Sequence, residues 1–388
     1  MNTIEQTNAH IMGTYGRSDV VLDHGSGATI EDAEGKSYID FGSGIGTSSL
    51  GFCNPAWADA VCAQARKVQH TSNLFYHQPQ ADLAEKLCKM SGYSKLFFGN
   101  SGAEANECAI KIARKYSYDK HGKGRQTIIT LVNSFHGRTI TTLSATGQDV
   151  FHDFFFPFTE GFKYVKANDI ADLHEKLDNT VCGIMIEYVQ GEGGVMALEQ
   201  SFVDEIRKIC DEKDIIMIAD EVQTGIGRTG TLFAGEQFGV QADVTTAAKG
   251  LGGGLPIGVC LANEKCADVL GKGAHGSTFG GNPVVCAGAI EVLNTLAAPG
   301  MMEEIREKSA WLREKLSALD EVEAVTGLGL MIGISLRTKK APDVLKACLD
   351  KGLLVLTAKD RVRLLPPLTI SRDELEAGAA ILCEVLEG

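Results

Sequence analysis

The sequence predicts an α/β protein: a large domain built on a mostly parallel sheet covered by helices, followed by a smaller α+β domain. Three observations carry this expectation. From about 55 to 296, short apolar runs alternate with segments of helical period. After a long helical stretch at 301–319 the texture changes to closely spaced strand-like runs. Glycine makes up 44 of 388 residues, about 11% against a usual share of roughly 7%, and it gathers in loops that follow the apolar runs, where backbone must come close to a ligand.

Taken in order, the first 50 residues hold two short runs, 29–31 and 37–40, around the turn Ala33-Glu34-Gly35-Lys36. They read as a hairpin in an N-terminal segment that joins the smaller domain. The runs at 95–98, 127–132, 182–186, 215–219, 244–247 and 259–262 are each bounded by turn residues and separated by helical segments, with clear helices at 103–118 and 201–212. Runs of that length and spacing argue for a largely parallel sheet buried on both faces. Beyond 301–319 come strands at 322–325 and 330–336, a helix at 342–351, and strands at 353–356 and 362–364. The expected division is therefore 1–50, 51–300 and 301–388.

The length suits two or three units with at least one sizeable core. Residues are 44% hydrophobic and 22% charged, and 37 basic against 50 acidic side chains leave a net charge of −13. No basic cluster offsets that balance, so binding to nucleic acid or to anionic lipid is not expected. The start, MNTIEQTNAH, has neither a basic nor an apolar leader segment, and no apolar run approaches the roughly 20 residues that span a bilayer. The eleven cysteines contain no CxxC pair and the nine histidines no HExxH. Free structural thiols in a reducing cytoplasm, with no metal site, are the expectation.

Four motifs bear on chemistry. Gly225, Gly227 and Gly230 in GIGRTG match a dinucleotide fingerprint, but the following TLFAGEQFG has no clean helical period and no acidic residue stands about 20 positions on, so a dinucleotide site is set aside. In FFGNSGAEANECAIKIARKY, Ser101 and Gly102 precede a helix opening at Ala103 or Glu104. Free N–H groups and the positive end of the helix dipole suit a phosphate there. A plainer reading, with Ser101 an N-cap and Glu104 completing a capping box, stands beside it.

Asp220 and Glu221 end the strongly apolar IIMIA run, where strand-end side chains face the ligand crevice of an open α/β sheet. An acidic pair bonded to neighbouring amides is the bland alternative. Lys249, between Ala247, Ala248 and Gly250, has neighbours too small to shield it, and a partly desolvated amine is more readily neutral and nucleophilic. A surface lysine is its bland alternative. A strand-end acid, a strand-end lysine and a phosphate-suited helix start together match the ring nitrogen, aldehyde and phosphate of pyridoxal 5′-phosphate.

With HTSNLFYHQPQ, GNSGAEANE, FHGRT, VQGEGG, DEVQTGIGRTG, AAKGLGGGLPIG, HGSTFGGNP and VRLLPPL in this order, the chain resembles the class III aminotransferases of pyridoxal-phosphate fold type I, nearly end to end. One departure is Tyr188, where many relatives carry proline.

The resemblance implies that Lys249 holds the cofactor and moves the substrate proton, that Asp220 pairs with the ring nitrogen, and that Gln223 serves the ring hydroxyl. It implies packing from Val222, a stacked ring from Phe135, and phosphate contacts from Ser101, Gly102 and Ala103. Thr278 corresponds to a hydroxyl lent to the neighbouring subunit's phosphate, which implies a homodimer with shared active sites. For substrates, it places Arg138 on the donor's α-carboxylate, Arg363 on 2-oxoglutarate, Glu192 as the acid that guards Arg363, and Ser277 and Tyr15 as further contacts.

Within the class, the motifs are nearest to the enzymes that take N2-acetyl-L-ornithine as amino donor and release glutamate, a ping-pong reaction of arginine biosynthesis. Ornithine, succinylornithine and 4-aminobutyrate remain open as donors. A glutamate-1-semialdehyde aminomutase is disfavoured by the two arginines. Outside enzymes, a cofactor-binding regulator or scaffold is the other possibility.

Overall fold

The computed structural model describes residues 2–388. Its centre is a seven-stranded sheet in the order Lys95–Gly99, Gly258–Ala262, Val244–Ala247, Ile216–Asp220, Val181–Ile186, Thr127–Leu131, Phe162–Val165. Gly258–Ala262 runs antiparallel to both its neighbours, and the remaining pairs are parallel. Burial on both faces explains why the central strands are unbroken apolar runs: every residue of Val181–Ile186, Ile216–Asp220 and Val244–Ala247 is buried.

The covering helices follow from local chemistry. Helix Gly102–His121 starts where the Ser101 hydroxyl accepts the Glu104 N–H. It buries Ala105, Cys108, Ala109, Ile112 and Ala113, a stripe at the helical repeat, against the sheet. Glu104 does not close a reciprocal box on Ser101 N–H; its Oε2 accepts from Asn100 N–H at 2.7 Å. On helix Gln200–Lys213, Phe202, Val203, Ile206, Ile209 and Cys210 are buried, and each large apolar side chain so placed stabilises the fold by about 1.5–3 kcal/mol. Helices Pro55–Lys67 and Pro283–Leu296 open on Asn54 and Asn282 caps with proline in the first turn.

The C-terminal part forms an antiparallel sheet in the order Val322–Leu328, Met331–Leu336, Arg361–Leu364, Leu356–Ala358. Strands Leu22–Ser26, Thr29–Asp32 and Ser37–Asp40 form a second small sheet, completed by Leu353–Leu354 parallel to Ser37–Asp40. The single strand expected at 353–356 is thus two, because the chain passes from one sheet to the other at the buried Val355. The GIGRTG segment is a tight turn with Ile226, Gly227 and Gly230 at positive φ and no helix opening on it. Its buried Arg228 donates through Nη1 to Leu330 O and Pro366 O, tying the turn to the C-terminal part. All eleven cysteines are free thiols. Among the described residues no single helix is long and apolar enough to cross a membrane, and no cluster of three or more His, Cys, Asp or Glu is arranged to hold a metal.

Candidate active site

Three chain segments meet at the carboxyl edge of the large sheet. Strand Ile216–Asp220 delivers Asp220 at its last position, and its neighbour Val244–Ala247 is followed two residues later by Lys249. Helix Gly102–His121 opens just past strand Lys95–Gly99. Between them lies a cavity of about 380 Å³ lined by Ser101, Gly102, Ala103, Phe135, Asp220, Val222, Gln223 and Lys249, the whole expected cofactor set except Thr278.

Asp220 is buried and fully bonded. Its Oδ2 accepts from Asn106 Nδ2 at 2.7 Å and lies 2.7 Å from His136 Nδ1, while Oδ1 accepts from Val222 N–H at 3.0 Å. Asn106 is oriented by Thr246, whose hydroxyl donates to Asn106 Oδ1 at 2.6 Å. Burial pulls His136 toward its neutral form, but the Asp220 bond and the charges of Asp220 and Glu187 outweigh it, so its pKa is raised. His136 Nε2 is buried without a partner.

Lys249 is half-buried, with its backbone at φ +38. A side chain held in that region costs on the order of 1–3 kcal/mol and persists only where its surroundings impose it. Burial lowers the amine's pKa; Asp220 and Glu192 oppose that effect and Arg363 adds to it. Among the described residues Nζ has no hydrogen bond or ion pair. The result is an amine at the cavity wall, close to an acid, biased toward the neutral form.

The residues fit pyridoxal phosphate. Among the described residues, the N–H groups of Gly102 and Ala103 meet no acceptor, and they open the helix at the cavity wall, a place suited to a phosphate. A Cβ on Gly102 would stand 2.7 Å from Val222 Cγ1, so glycine is what lets the helix start and the Val222 side chain share this space. Asp220 and Lys249 face the same cavity from adjacent strand ends, and Phe135 supplies an aromatic wall.

The substrate candidates are placed less uniformly. Arg363 is buried and reaches the site through Gln223: its Nη1 donates to Glu192 Oε1 at 2.6 Å and to Gln223 Oε1 at 3.1 Å. Arg138 leans on the Phe135 ring, its Cζ 4.7 Å from the centroid. Ser277 does not line the cavity; its hydroxyl accepts from Asn100 Nδ2 at 3.1 Å, one residue removed. Thr278 is exposed and does not reach the cavity of its own chain. Tyr15, expected as a further substrate contact, does not line the cavity of its own chain: it is 73% exposed, with the Arg17 Cζ 5.4 Å from its ring centroid. The 11–20 segment around it has no regular structure that would press it onto the site.

Sequence reasoning missed Asn106, His136, Thr246 and Glu187. Two signals were present: Asn106 stands four residues after Gly102 on the same helix face, and His136 lies inside FHGRT. Glu187 lines the cavity with both oxygens accepting backbone N–H groups, from Phe135 at 3.1 Å and Gly191 at 3.4 Å. Burial raises its pKa, which His136 opposes and Asp220 reinforces. Tyr188 lies away from the cavity, buried and stacked on Phe238.

Comparison with known proteins agrees with this arrangement. A family model described as aminotransferase class-III matches residues 13–386. The chain is 52% identical over 386 residues to the acetylornithine aminotransferase of Haemophilus ducreyi, covering 99% of this chain and 98% of that one. Among solved structures it is similar to the ornithine aminotransferase of Toxoplasma gondii, with partial occupancy of pyridoxal phosphate at its active site (TM-score 0.94, 31% identity, 99% and 93% of the two chains). It is also similar to the N-acetylornithine aminotransferase of Stenotrophomonas maltophilia (TM-score 0.86, 35% identity, 98% of each chain).

Proposed function

Because the chain belongs to the class-III aminotransferases and is a pyridoxal-phosphate-dependent enzyme, we propose that it moves the terminal amino group of N2-acetyl-L-ornithine to 2-oxoglutarate, yielding glutamate by a ping-pong mechanism. The reaction would serve arginine biosynthesis in the cytoplasm, where the free state of all eleven thiols is expected. One observation carries the reading: of the two arginines beside the cavity, one is held by an acid and the other is not. Arg363 is paired with Glu192 at 2.6 Å, whereas Arg138 has no acidic partner among the described residues.

The consequence is a site that sorts two carboxylates. A guanidinium grips a carboxylate through two parallel N–H bonds. Unguarded, Arg363 would seize the α-carboxylate of an amino acid and present its α-amine. With Glu192 on Nη1, the donor carboxylate goes to Arg138 and the terminal amine reaches Lys249. A dicarboxylate keto acid brings enough charge to displace Glu192 and occupy Arg363. Pyridoxal phosphate supplies an aldehyde that accepts amino groups and a ring that withdraws electrons from the adjacent C–H bond. Lys249 Nζ, shifted toward its neutral form by burial, would take the proton from the substrate carbon and deliver it to C4′ of the cofactor. Asp220, fixed by Asn106 and His136, would meet the ring nitrogen from the far wall.

A homodimer is part of the proposal. Leu74, Phe75, Tyr76 and Phe279 are 60% or more exposed, and Phe279 adjoins Thr278. An apolar patch of this kind is usual at a subunit interface, and Thr278 would serve the partner's phosphate.

The test is a donor panel on the purified holoenzyme. N2-acetyl-L-ornithine should bleach the visible cofactor band, 2-oxoglutarate should restore it, and kcat/KM should rank acetylornithine above ornithine, succinylornithine and 4-aminobutyrate. A higher kcat/KM for any of the other three reassigns the donor.

A further inference from the structure

The Arg138 guanidinium occupies the corner between two aromatic rings. Its Cζ lies 4.1 Å from the Phe151 centroid and 4.7 Å from that of Phe135, and the rings meet edge to face at 76° with centroids 6.0 Å apart. Arg138 makes no hydrogen bond or ion pair among the described residues. The neighbouring acid Glu107 is engaged by the Thr139 hydroxyl at 2.6 Å. Phe135 already walls the cofactor cavity, whereas Phe151 does not line it.

Phe151 is not loosely placed. It closes the short turn Asp149–Phe151, with its N–H donating to Gln148 O at 3.1 Å. The Gln148 side chain in turn donates to Ser134 O at 3.0 Å, and Gly147 N–H donates to Ser134 Oγ at 3.0 Å. The turn that carries Phe151 is therefore tied to the chain just ahead of Phe135, and the two rings keep a set relation.

An aromatic face attracts a guanidinium through its π electrons without using the N–H groups in the guanidinium plane. Held this way, Arg138 has less rotamer freedom to lose on binding, and its donor edge stays available for a carboxylate. Arg363 is ordered differently, by its contact with the Glu192 carboxylate at 2.6 Å.

We propose that Phe151 is a positioning and specificity-determining residue of the donor half-reaction: it fixes Arg138 for the donor's carboxylate and has no part in binding the keto acid. This rests on the reading that Arg138 receives the donor carboxylate.

The test compares Phe151→Leu and Phe151→Trp with wild-type holoenzyme. Binding of N2-acetyl-L-norvaline, which lacks the terminal amine and cannot react, is measured by calorimetry beside KM and kcat for N2-acetyl-L-ornithine and KM for 2-oxoglutarate. The leucine variant should weaken analogue binding and raise the donor KM by about tenfold, with kcat and the 2-oxoglutarate KM held, and tryptophan should restore both. Unchanged analogue affinity, or a parallel rise of both KM values as in general loosening, overturns the proposal. If wild type prefers another donor, the assigned function fails, and the Phe151 comparison is then read with an unreactive analogue of that donor.

Discussion

His136 Nδ1 lies 2.7 Å from Asp220 Oδ2, and both side chains are buried. Asp220 also accepts from Asn106, so replacing it leaves a buried imidazole without its acceptor and the Asn106 amide with only its bond to His136 O at 2.8 Å. Asp220→Ala is expected to lower the stability of the cofactor-free protein by about 3–5 kcal/mol, as removal of one partner of a buried pair does. Urea unfolding measures it. The pH dependence has a definite sign. The native pKa of His136 is raised, so the pair's contribution is fully present below the unfolded value of about 6.5 and is lost as pH rises through the native value. Wild type should lose stability over that window and Asp220→Ala should lose much less; equal slopes would contradict the pairing.

Lys249 combines a strained backbone with a desolvated amine. Its pKa is lowered on folding, so the native state holds the proton less tightly than the unfolded chain. The resulting penalty is absent above the unfolded value of about 10.4 and grows as pH falls toward the native one. Lys249→Met keeps the length of the stem and removes the charge. The cofactor-free variant should therefore melt at a higher temperature than wild type at pH 7, while its turnover drops by at least about 10²–10⁴-fold, the worth of a positioned proton-transfer group. A lower melting temperature would show that the amine is not a source of strain on the fold. Retained turnover would remove Lys249 from the proposed chemistry.

How far the sequence reveals this site depends on what each residue contacts. Asp220, Lys249 and Gly102 were legible because each follows an apolar strand, and the carboxyl edge of an α/β sheet is where ligands sit. Asn106 and His136 were not, since their role is to meet Asp220 from separate segments, nor was Thr246, which meets Asn106; no local pattern records a contact over 84 to 140 positions. The fold shows the same division. The runs at 244–247 and 259–262 were legible from their apolarity, but the antiparallel course of Gly258–Ala262 was not, because apolar runs carry no sense of direction. The position of Tyr15 was not legible for a different reason: its segment has no apolar period, and nothing in its own chain buries it.

Tyr188 stands where many relatives have proline, and its surroundings make the exchange costly in one direction. The ring is buried and stacked on Phe238, with centroids 5.0 Å apart and planes at 22°. Its backbone N–H donates to no acceptor among the described residues, while its carbonyl accepts from Leu198 N–H at 2.9 Å, a bond proline would keep. The backbone thus has no need of tyrosine, and the ring's place in the core is what a smaller residue forfeits. Tyr188→Pro should destabilise the protein by about 3–5 kcal/mol, the range for emptying a large aromatic site. Tyr188→Phe should cost less than about 1 kcal/mol, because the hydroxyl lies a marginal 3.4 Å from Val240 O. Since Tyr188 does not line the cofactor cavity, kcat should hold in both variants at temperatures where they remain folded. A fall in kcat for the phenylalanine variant at unchanged stability would mean that Tyr188 acts on the site through its neighbour Glu187 rather than as packing alone.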